Sequence, residues 1–518
     1  MSLEQLQQAA LAQICNPNLT QGQKQLALAQ LLEAAMPKPN FSAEVEQAFA
    51  DGILHDMHES PTPFKPRYVL PDYAVAMKQG SEFLELAPPT NLDEAINFLS
   101  ILYQNVPSVT TYPVFLGHLD QLLEPFVTAE HSDEELEQKI RLFWQYLDRT
   151  LPDSFVHANL GPMDSRIGRT ILKVDASLKQ SVPNLTFRFS LEETPEELLQ
   201  VLVNNIIECN KPHIVNHDLV KHDFNNDVCS DYGVVSCYNS LPLGGGSHTL
   251  LRLNLMNSFK LCDGTVADYL NNTVPQCAKL MDDGMRHRIR YLVEESKFYD
   301  SYFLCKEGVV SLEKFSAMFG IYGLAELVNQ LMDAQGKSGR YGLDQEATDL
   351  GEQIIAAYRA QVDNIEMIYC IGNKPVFHSQ SGISSDAEET AGTRIPVGTE
   401  PDTVSHIKSL APLHKYFDGG VSDIFPLEPT VRSNPEALTR LVKGGFKLGL
   451  RIFTANLSDV DLIRITGFMV RRSDIEKQRQ QAERHNSTVL GTEAVDVVKI
   501  LDRQFRTVSH EQHPSALW

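Results

Sequence analysis

Short strand-like runs alternate with amphipathic helices along this chain, and that alternation limits the fold more than any other feature of the sequence. Two helices have recognisable N-terminal capping patterns: Ser132 precedes an amphipathic run with Glu135 three residues later, and Thr194 stands before Pro195 and an apolar run. No internal repeat is visible. We therefore predict a mixed α/β protein. Its predicted strands are residues 186–190, 232–237, 250–255 and 366–369.

Composition excludes several classes of protein. The chain has 518 residues, of which 42% are hydrophobic, with 30 Gly and 27 Pro, so neither a collagen-like nor a disordered chain is expected. Its net charge of −22 repels phosphate backbones and anionic lipids. No apolar stretch approaches the roughly 20 residues that span a bilayer, and no signal-peptide pattern opens the chain. We expect a soluble cytoplasmic protein that binds neither nucleic acid nor membrane.

The eight cysteines do not support a metal site or a disulfide framework. They are widely spaced, none forms a Cys-x-x-Cys pair, and none follows Cys370. A zinc ribbon is therefore not expected, and a cytosolic compartment disfavours disulfides. We predict no metal site. The spacing of the cysteines does not decide whether an individual one is a reactive thiol.

Two segments differ in composition from the rest of the chain. Residues 1–57 predict a helical region, in which residues 23–36 are rich in Ala, Leu and Gln at helical spacing. Residues 378–403 are rich in Ser, Gly, Thr, Pro and acidic residues and predict an irregular stretch. A domain linker and a functional loop both fit, because long irregular loops inside a domain are uncommon unless functional.

Cys237 is the first candidate for chemistry. It ends the apolar run YGVVSC and enters the turn-rich sequence YNSLPLGGGS, the kind of position at which a reactive side chain is exposed. A buried, inert cysteine is the simpler interpretation. Gly244–Gly246 could cradle a phosphate, but the Walker lysine and the GxGxxG spacing are both missing. A thiol hydrolase would pair Cys237 with one of sixteen histidines, and spacing alone does not select which.

Gly467 is the second candidate. It interrupts residues 463–470, an apolar run that otherwise predicts a strand. Glycine in such a run marks a bulge, a tight bend or a close backbone approach, and a purely structural role is the simpler interpretation.

The sequence around Gly467 resembles a known signature. Residues 464–470, RITGFMV, are similar to the C-terminal Arg-Val-x-Gly-aromatic motif of the glycyl radical enzymes, and Gly467 lies 51 residues before the C-terminal residue. Nearly the whole chain is similar to the YjjI family within that superfamily. The segments that carry this resemblance are residues 65–74, 143–165, 235–247, 318–326, 378–386 and 453–471.

The resemblance implies a fold and a chemistry. The fold is a ten-stranded α/β barrel of two half-barrels, with a Cys loop and a Gly loop inside it. It implies an N-terminal helical region at 1–57, a barrel at 58–445 and a glycine radical domain at 446–518. Gly467 would store the radical, since a Gly radical is shared with the flanking amides and has no Cβ to clash. Cys237 would be the thiyl that takes hydrogen from substrate. A separate activating enzyme that uses S-adenosylmethionine and a 4Fe–4S cluster would install the radical.

This chain differs from the better-known branches of the superfamily at residues that those branches need for their reactions. Pyruvate formate-lyase has two adjacent cysteines, whereas this chain has Ser236 before Cys237. Eliminases of the superfamily typically have Cys-x-Glu, whereas this chain has Asn239, and an amide cannot accept a proton at neutral pH. Anaerobic ribonucleotide reductase has zinc-binding cysteines before its Gly loop, which are missing here. Neither formate-lyase nor reductase chemistry is therefore expected, and the general base stays open.

We therefore expect an oxygen-sensitive enzyme of anaerobic metabolism that abstracts hydrogen from a small polar metabolite. The reaction would be elimination or cleavage of a C–C or C–X bond, of the lyase or dehydratase type. A Cys-nucleophile hydrolase and a non-catalytic barrel protein that acts as a partner or regulator are the alternatives. Members of the superfamily are commonly homodimers, although no sequence feature here locates an interface. Candidate substrate-binding or acid/base residues are Ser236, Tyr238, Asn239, His118, His378, Glu326 and Arg252.

Overall fold

A computed structural model describes most of the chain, and both of the central sequence candidates fall outside it. The described residues are 2–17, 19, 21–35, 39–56, 65–106, 114–151, 155–224, 228–229, 231–236, 238–379, 389–421, 423–464 and 469–479. Cys237 and Gly467 lie outside the described residues, whereas their near neighbours in sequence are described.

Helices and strands alternate along the described residues, as the sequence predicts. The helices are α1 Leu3–Cys15, α2 Gln21–Ala34, α3 Ala43–Ala50, α4 Tyr73–Gln79, α5 Leu92–Asn105, α6 Leu119–Leu123, α7 Asp133–Thr150, α8 Arg166–Leu178, α9 Glu196–Cys209, α10 His217–Phe224, α11 Leu255–Ser258, α12 Val266–Asp268, α13 Val274–Arg290, α14 Phe298–Ser301, α15 Phe303–Lys306, α16 Leu324–Ala334, α17 Gln345–Asp363, α18 Thr403–Leu410, α19 Pro435–Lys447 and α20 Arg472–Arg479. The strands are β1 Leu54–Asp56, β2 Tyr68–Leu70, β3 Phe115–His118, β4 His157–Leu160, β5 Asn184–Phe189, β6 His213–Asn216, β7 Tyr232–Val235, β8 Asn239–Pro242, β9 Gly245–Asn254, β10 Phe315–Tyr322, β11 Val376–Ser379, β12 Phe425–Leu427, β13 Ile452–Phe453, β14 Ala455–Leu457, β15 Leu462–Arg464 and β16 Met469–Arg471.

Two five-stranded sheets form the frame of the molecule. In sheet one, β9, β10 and β11 are parallel neighbours, and β1 and β2 pair antiparallel with β9. In sheet two, the order is β13-β6-β5-β4-β3, with β3 to β6 parallel and β13 antiparallel to β6. The two sheets contain ten strands together, and within the described part of the chain no strand pairing joins one sheet to the other.

The two faces of sheet two have opposite polarity. Residues such as Leu185, Phe187 and Ile214 alternate along the strands and join the large apolar core that includes α7, α8 and α9. The alternate positions, two residues apart on the same strands, point to the other face. That second face is buried and polar: it carries His157, Asn159, Asn184, Thr186, Arg188 and His213, none more than 1% exposed.

The N-cap of α7 matches its predicted capping pattern in part, and the N-cap of α9 does not. Ser132 caps α7 by accepting a hydrogen bond from the Glu135 amide at 3.1 Å, as predicted, whereas the Glu135 carboxylate lies beside Lys139 instead of reaching back. The prediction that Thr194 caps the next helix is wrong, because its hydroxyl donates to the Pro162 carbonyl at 2.7 Å. Pro195 occupies the N-cap position of α9.

The predicted strand at residues 366–369 is also wrong. The Met367 amide donates to the Asn373 carbonyl at 2.7 Å, which closes a turn, and Tyr369 has a φ of 66° that an extended strand does not allow. The N-terminal region is helical up to α3, as predicted, and then ends in the strand β1. Among the described residues, no helix combines the length and apolar character needed to cross a membrane.

A fully buried ion pair lies behind sheet two, at the start of β6. Lys211 and Asp175 are both fully buried, and Lys211 Nζ lies 2.6 Å from Asp175 Oδ1. Lys211 also donates to the Gln180 and Pro183 carbonyls, and Trp144 Nε1 donates to the same carboxylate at 3.0 Å. The pair therefore fixes the turn between α9 and β6.

Removal of this cation should destabilise the protein strongly. Lys211→Met is expected to lower the free energy of unfolding by about 3–5 kcal/mol, because it leaves a buried carboxylate without its partner. Unfolding by heat and by urea, followed by circular dichroism, measures the change. Lys337→Met is the control, since Lys337 pairs with Glu346 in an exposed position and should cost about 0–1 kcal/mol. Equal small effects in the two variants would contradict the prediction.

Candidate active site

The segment that carries Cys237 in its sequence is a hairpin between the two sheets. Strands β7 and β8 pair antiparallel, with Val235 opposite Asn239, so residues 236–238 join them. β7 contacts β3 and β4 of sheet two, and β8 contacts β9 and β10 of sheet one. We call β7, β8 and the residues that join them the Cys hairpin.

The residues on either side of Cys237 have unusual backbone conformations. Ser236 has a φ of 53° and Tyr238 a φ of 70°, and each is buried. The left-handed region costs a non-glycine residue roughly 1–2 kcal/mol, so surrounding contacts must hold these two residues in place. Such conformations are concentrated at functional sites.

Sheet two holds the Cys hairpin through side chains from neighbouring strands. Asn159 on β4 exchanges two hydrogen bonds of 2.8 Å with the amide and carbonyl of Val234. His118 Nε2 lies 2.9 Å from the Tyr232 carbonyl, and its Nδ1 lies 3.4 Å from an Asp231 carboxylate oxygen. Burial, together with the nearby Arg188, lowers the pKa of His118 to about 3, so its imidazole is neutral at pH 7.

A glycine pair supports the hairpin from the side of sheet one. The Ser240 amide donates to the Gly419 carbonyl at 3.0 Å. Gly420 has a φ of 111°, and a Cβ placed there would lie 2.0 Å from the Tyr238 carbonyl oxygen and 3.5 Å from His378 Nδ1. No side chain fits at Gly420, and its backbone therefore brings Tyr238 and His378 next to the same point.

The strands that precede and follow Gly467 in the sequence form a second antiparallel pair. Strands β15 and β16 pair antiparallel, with Arg464 opposite Met469, so residues 465–468 join them. We call this pair of strands the Gly hairpin. Asn456 on β14 bonds to both backbone groups of Arg464, at 2.9 and 3.1 Å. Asn210 Nδ2 donates to the Leu462 carbonyl at 2.8 Å.

Arg464 connects the Gly hairpin to the polar face of sheet two. Its guanidinium donates to His213 Nε2 at 3.0 Å, to Asn184 Oδ1 at 3.2 Å and to the Asn210 carbonyl at 2.9 Å. Its guanidinium carbon lies 6.0 Å from the centre of the Tyr238 ring. Burial lowers the pKa of Arg464. The two hairpins thus meet at one buried guanidinium.

Two stacked, buried histidines lie beside Arg464 and the Tyr238 ring. His157 and His213 stack with their ring centres 5.4 Å apart, and His213 meets the Tyr238 ring edge-on at 4.6 Å. His157 Nε2 lies 2.6 Å from Thr186 Oγ1. Burial and the charge of Arg464 lower the pKa of His157 to about 3 and that of His213 well below its ordinary value, so both rings are neutral at pH 7.

Two of the predicted site residues lie on the same face of sheet one, with one residue between them. Arg252 on β9 and His378 on β11 are both in register with Gly320 on β10. Both are buried, and the Arg252 guanidinium lies 4.8 Å from the centre of the Tyr322 ring. Since Gly320 has no side chain between them, Arg252 and His378 form one polar wall.

Glu326 and Asn239 take other positions. Glu326 lies in the first turn of α16, where burial raises its pKa. It accepts hydrogen bonds from the amide and hydroxyl of Thr390, so it holds the chain that follows residues 380–388, which lie outside the described residues. Asn239 donates from Nδ2 to the Val235 carbonyl at 3.2 Å, and no described group bonds to its Oδ1.

Sequence reasoning missed five of the residues that build this site. Their only signal in the sequence is that four of them are polar positions in strands that are otherwise apolar, while Asn210 follows the last residue of α9 as its C-cap. These residues are Asn159, His157, His213, Asn210 and Asn456.

Known proteins resemble this chain in sequence and in fold. The chain is 46% identical over 507 residues to the YjjI protein of Escherichia coli (strain K12), which covers 98% of this chain and 97% of that protein. Its fold is similar to that of an anaerobic ribonucleotide reductase (TM-score 0.70, 13% identity, 95% of this chain and 86% of that one). It is also similar to hydroxyproline dehydratase from Clostridioides difficile (TM-score 0.69, 12% identity, 96% of this chain and 88% of that one).

A family model described as "Glycyl radical enzyme YjjI-like" matches residues 19–506. That match covers most of the chain, and the relative from Escherichia coli extends over almost all of it. Members of this superfamily carry a radical on a glycine, which a separate activating enzyme installs. The chain belongs to the YjjI-like family of glycyl radical enzymes.

Proposed function

We propose that this protein stores a radical on Gly467, passes it to Cys237, and uses the thiyl to take hydrogen from a small polar metabolite. One observation supports this most: the hairpins on either side of these two residues are bound to the same face of sheet two and meet at Arg464 and Tyr238. Hydrogen transfer between two residues requires such an approach.

The proposed transfer needs no charged partner. The Gly467 radical takes the hydrogen atom of the Cys237 thiol, so a Cα–H bond forms, an S–H bond breaks and the unpaired electron moves to sulfur. The thiyl then takes a hydrogen atom from a C–H bond of the substrate and leaves a carbon radical. Burial of the surrounding side chains excludes water from these reactive species.

We propose elimination or bond cleavage as the outcome for the substrate radical. The similarity in fold to hydroxyproline dehydratase supports a dehydratase-like reaction, while Asn239 stands where a carboxylate base would be expected. The base therefore comes from another group. His378, beside Gly420 and the Cys hairpin, is our candidate because an imidazole can accept or donate a proton near neutral pH.

The polar wall formed by Arg252 and His378 supports a proposal for the class of substrate. Arg252 and His378 offer a guanidinium and an imidazole on either side of Gly320, and guanidinium binds carboxylate and phosphate groups with paired hydrogen bonds. We propose that the substrate carries an anionic group that binds there. Ser236, Tyr238 and Asn239 would orient its reacting carbon.

The proposal includes a partner and a division of the chain. A radical S-adenosylmethionine enzyme with a 4Fe–4S cluster would install the radical on Gly467. Residues 58–445 would form the barrel, residues 446–518 the glycine radical domain, and residues 1–57 an added helical region.

Protein produced anaerobically with its activating enzyme should show an electron paramagnetic resonance doublet near the free-electron g value. The doublet arises from the one hydrogen left on the Gly467 α-carbon. Gly467→Ala should show no doublet, whereas Cys237→Ser should keep the doublet and lose substrate turnover. A Cys-nucleophile hydrolase also predicts loss of turnover in Cys237→Ser, but nearly normal turnover in Gly467→Ala. No doublet in wild-type protein beside a demonstrably active activating enzyme would overturn the proposal.

Exposure of the activated protein to air should cut the chain at Gly467. Oxygen adds to a glycyl radical and breaks the peptide backbone, so one product would hold residues 467–518. At the average residue mass of this chain, 58.0 kDa over 518 residues, that product weighs about 6 kDa. Mass spectrometry of the intact protein detects it. Gly467→Ala, treated identically, should stay whole, and the same cut in that variant would point to ordinary proteolysis.

Arg252→Gln should weaken the binding of anionic ligands. Loss of a charged hydrogen-bond partner costs about 1.5–3 kcal/mol, which is roughly 10- to 100-fold in Kd. Calorimetric titration with a panel of small hydroxy acids, amino acids and phosphate esters measures it. Arg286→Gln is the control, because Arg286 lies on α13 and pairs with Asp282. If Arg252→Gln binds the best ligand of the panel as tightly as wild type, the anion site is wrong.

A further inference from the structure

We propose that Asn159 and Asn456 are a matched pair of positioning residues that set the two hairpins for hydrogen transfer. This inference rests on the proposed roles of Gly467 and Cys237. It adds two uncharged side chains that act through the backbone of each hairpin, at Val234 and at Arg464.

Asn159 binds the Cys hairpin as a strand would. Its Nδ2 donates to the Val234 carbonyl and its Oδ1 accepts from the Val234 amide, both at 2.8 Å. Val234 lies opposite Ser240 within the hairpin, and both of its backbone groups point away from β8 toward β4. The carboxamide therefore completes the outer edge of β7.

Asn456 makes the same contact with the Gly hairpin. Its Nδ2 donates to the Arg464 carbonyl at 2.9 Å, and its Oδ1 accepts from the Arg464 amide at 3.1 Å. Arg464 lies opposite Met469, so the outer edge of β15 is again completed by a carboxamide. Asn159 is fully buried and Asn456 is 4% exposed.

The two contacts have the same place relative to the radical residues. Val234 precedes Cys237 by three residues, and Arg464 precedes Gly467 by three. Each carboxamide thus holds the backbone of its hairpin three residues before the residue that we propose to react. A displacement of about 1 Å can slow a reaction on the order of 100-fold, so this placement controls the transfer.

Asparagine is suited to this task because its carboxamide has the donor and acceptor of a peptide group. Aspartate has the same shape and can accept from the backbone amide, but it cannot donate to the carbonyl while ionised. Alanine removes both bonds and leaves two buried backbone groups without partners.

Hydrogen exchange into the glycyl radical measures the transfer without a substrate. In D2O the thiol becomes S–D, and the radical takes the deuterium, so the S–D bond breaks as a Cα–D bond forms and a thiyl remains. The thiyl then takes back the protium from the same carbon, which restores a thiol and leaves a radical that carries deuterium. The doublet of the protium radical collapses toward a single line, and the rate of collapse per spin reports the approach of the two residues.

The experiment compares this rate in wild-type protein, Asn159→Ala and Asn456→Ala after anaerobic activation and transfer to D2O. We expect both variants to hold radical and to exchange about 10- to 100-fold more slowly than wild type. Asn205→Ala is the matched control, since Asn205 is a buried asparagine on α9 that bonds to the Leu172 carbonyl at 2.7 Å, away from both hairpins. It should lose similar thermal stability and keep the wild-type rate.

Each outcome decides the inference. Rates in Asn159→Ala and Asn456→Ala equal to that of Asn205→Ala would overturn it. If an alanine variant does not fold, the isosteric Asn159→Asp or Asn456→Asp replaces it, and a wild-type rate there would overturn the inference in the same way. Cys237→Ser should not exchange at all. A doublet in wild-type protein with wild-type exchange in Cys237→Ser would refute the thiol step itself, whereas no doublet in wild type would refute the proposed function and this inference together.

Discussion

The buried guanidinium of Arg464 is the interaction on which the arrangement of the two hairpins depends. A charge taken out of water is costly unless hydrogen-bond acceptors surround it. The two terminal nitrogens of Arg464 donate to His213, Asn184 and the Asn210 carbonyl, groups contributed by sheet two and by the turn before β6, while no described group accepts from its Nε. The Gly hairpin therefore cannot shift without exposing unpaired groups. The Lys211–Asp175 pair, one residue beyond Asn210, stabilises the same turn.

The polar face of sheet two follows from this requirement. A face that buries an arginine must offer acceptors, and neutral imidazoles and carboxamides can do so without adding charge. Low pKa values at His157 and His213 keep both rings neutral, so His213 accepts from Arg464 instead of repelling it. The buried polar side chains of sheet two thus hold the two hairpins at fixed positions.

The sequence predicted the mixed α/β class, the alternation of helices and strands and the N-cap of α7, because these depend on local patterns, whereas the ten-stranded barrel of two half-barrels stays a prediction. It failed where a side chain had a distant partner: Thr194 bonds to the Pro162 carbonyl instead of capping its helix. Asn159 and Asn456 were missed for a related reason, since each binds backbone groups, which every residue possesses and which leave no mark on the sequence. The same holds for Gly420, whose need for glycine comes from the Tyr238 carbonyl 182 residues earlier in the chain.

The two sheets divide the work of the site. Sheet two binds both hairpins, through Asn159, His118 and His213, so substitutions there should disturb the residues that we propose to carry the radical. Sheet one presents Arg252 and His378 on either side of Gly320, and it contacts the Cys hairpin through β8. The proposed radical residues and the proposed substrate wall therefore depend on different sheets of a fold that is shared, at a TM-score of 0.70, with a protein only 13% identical to this chain.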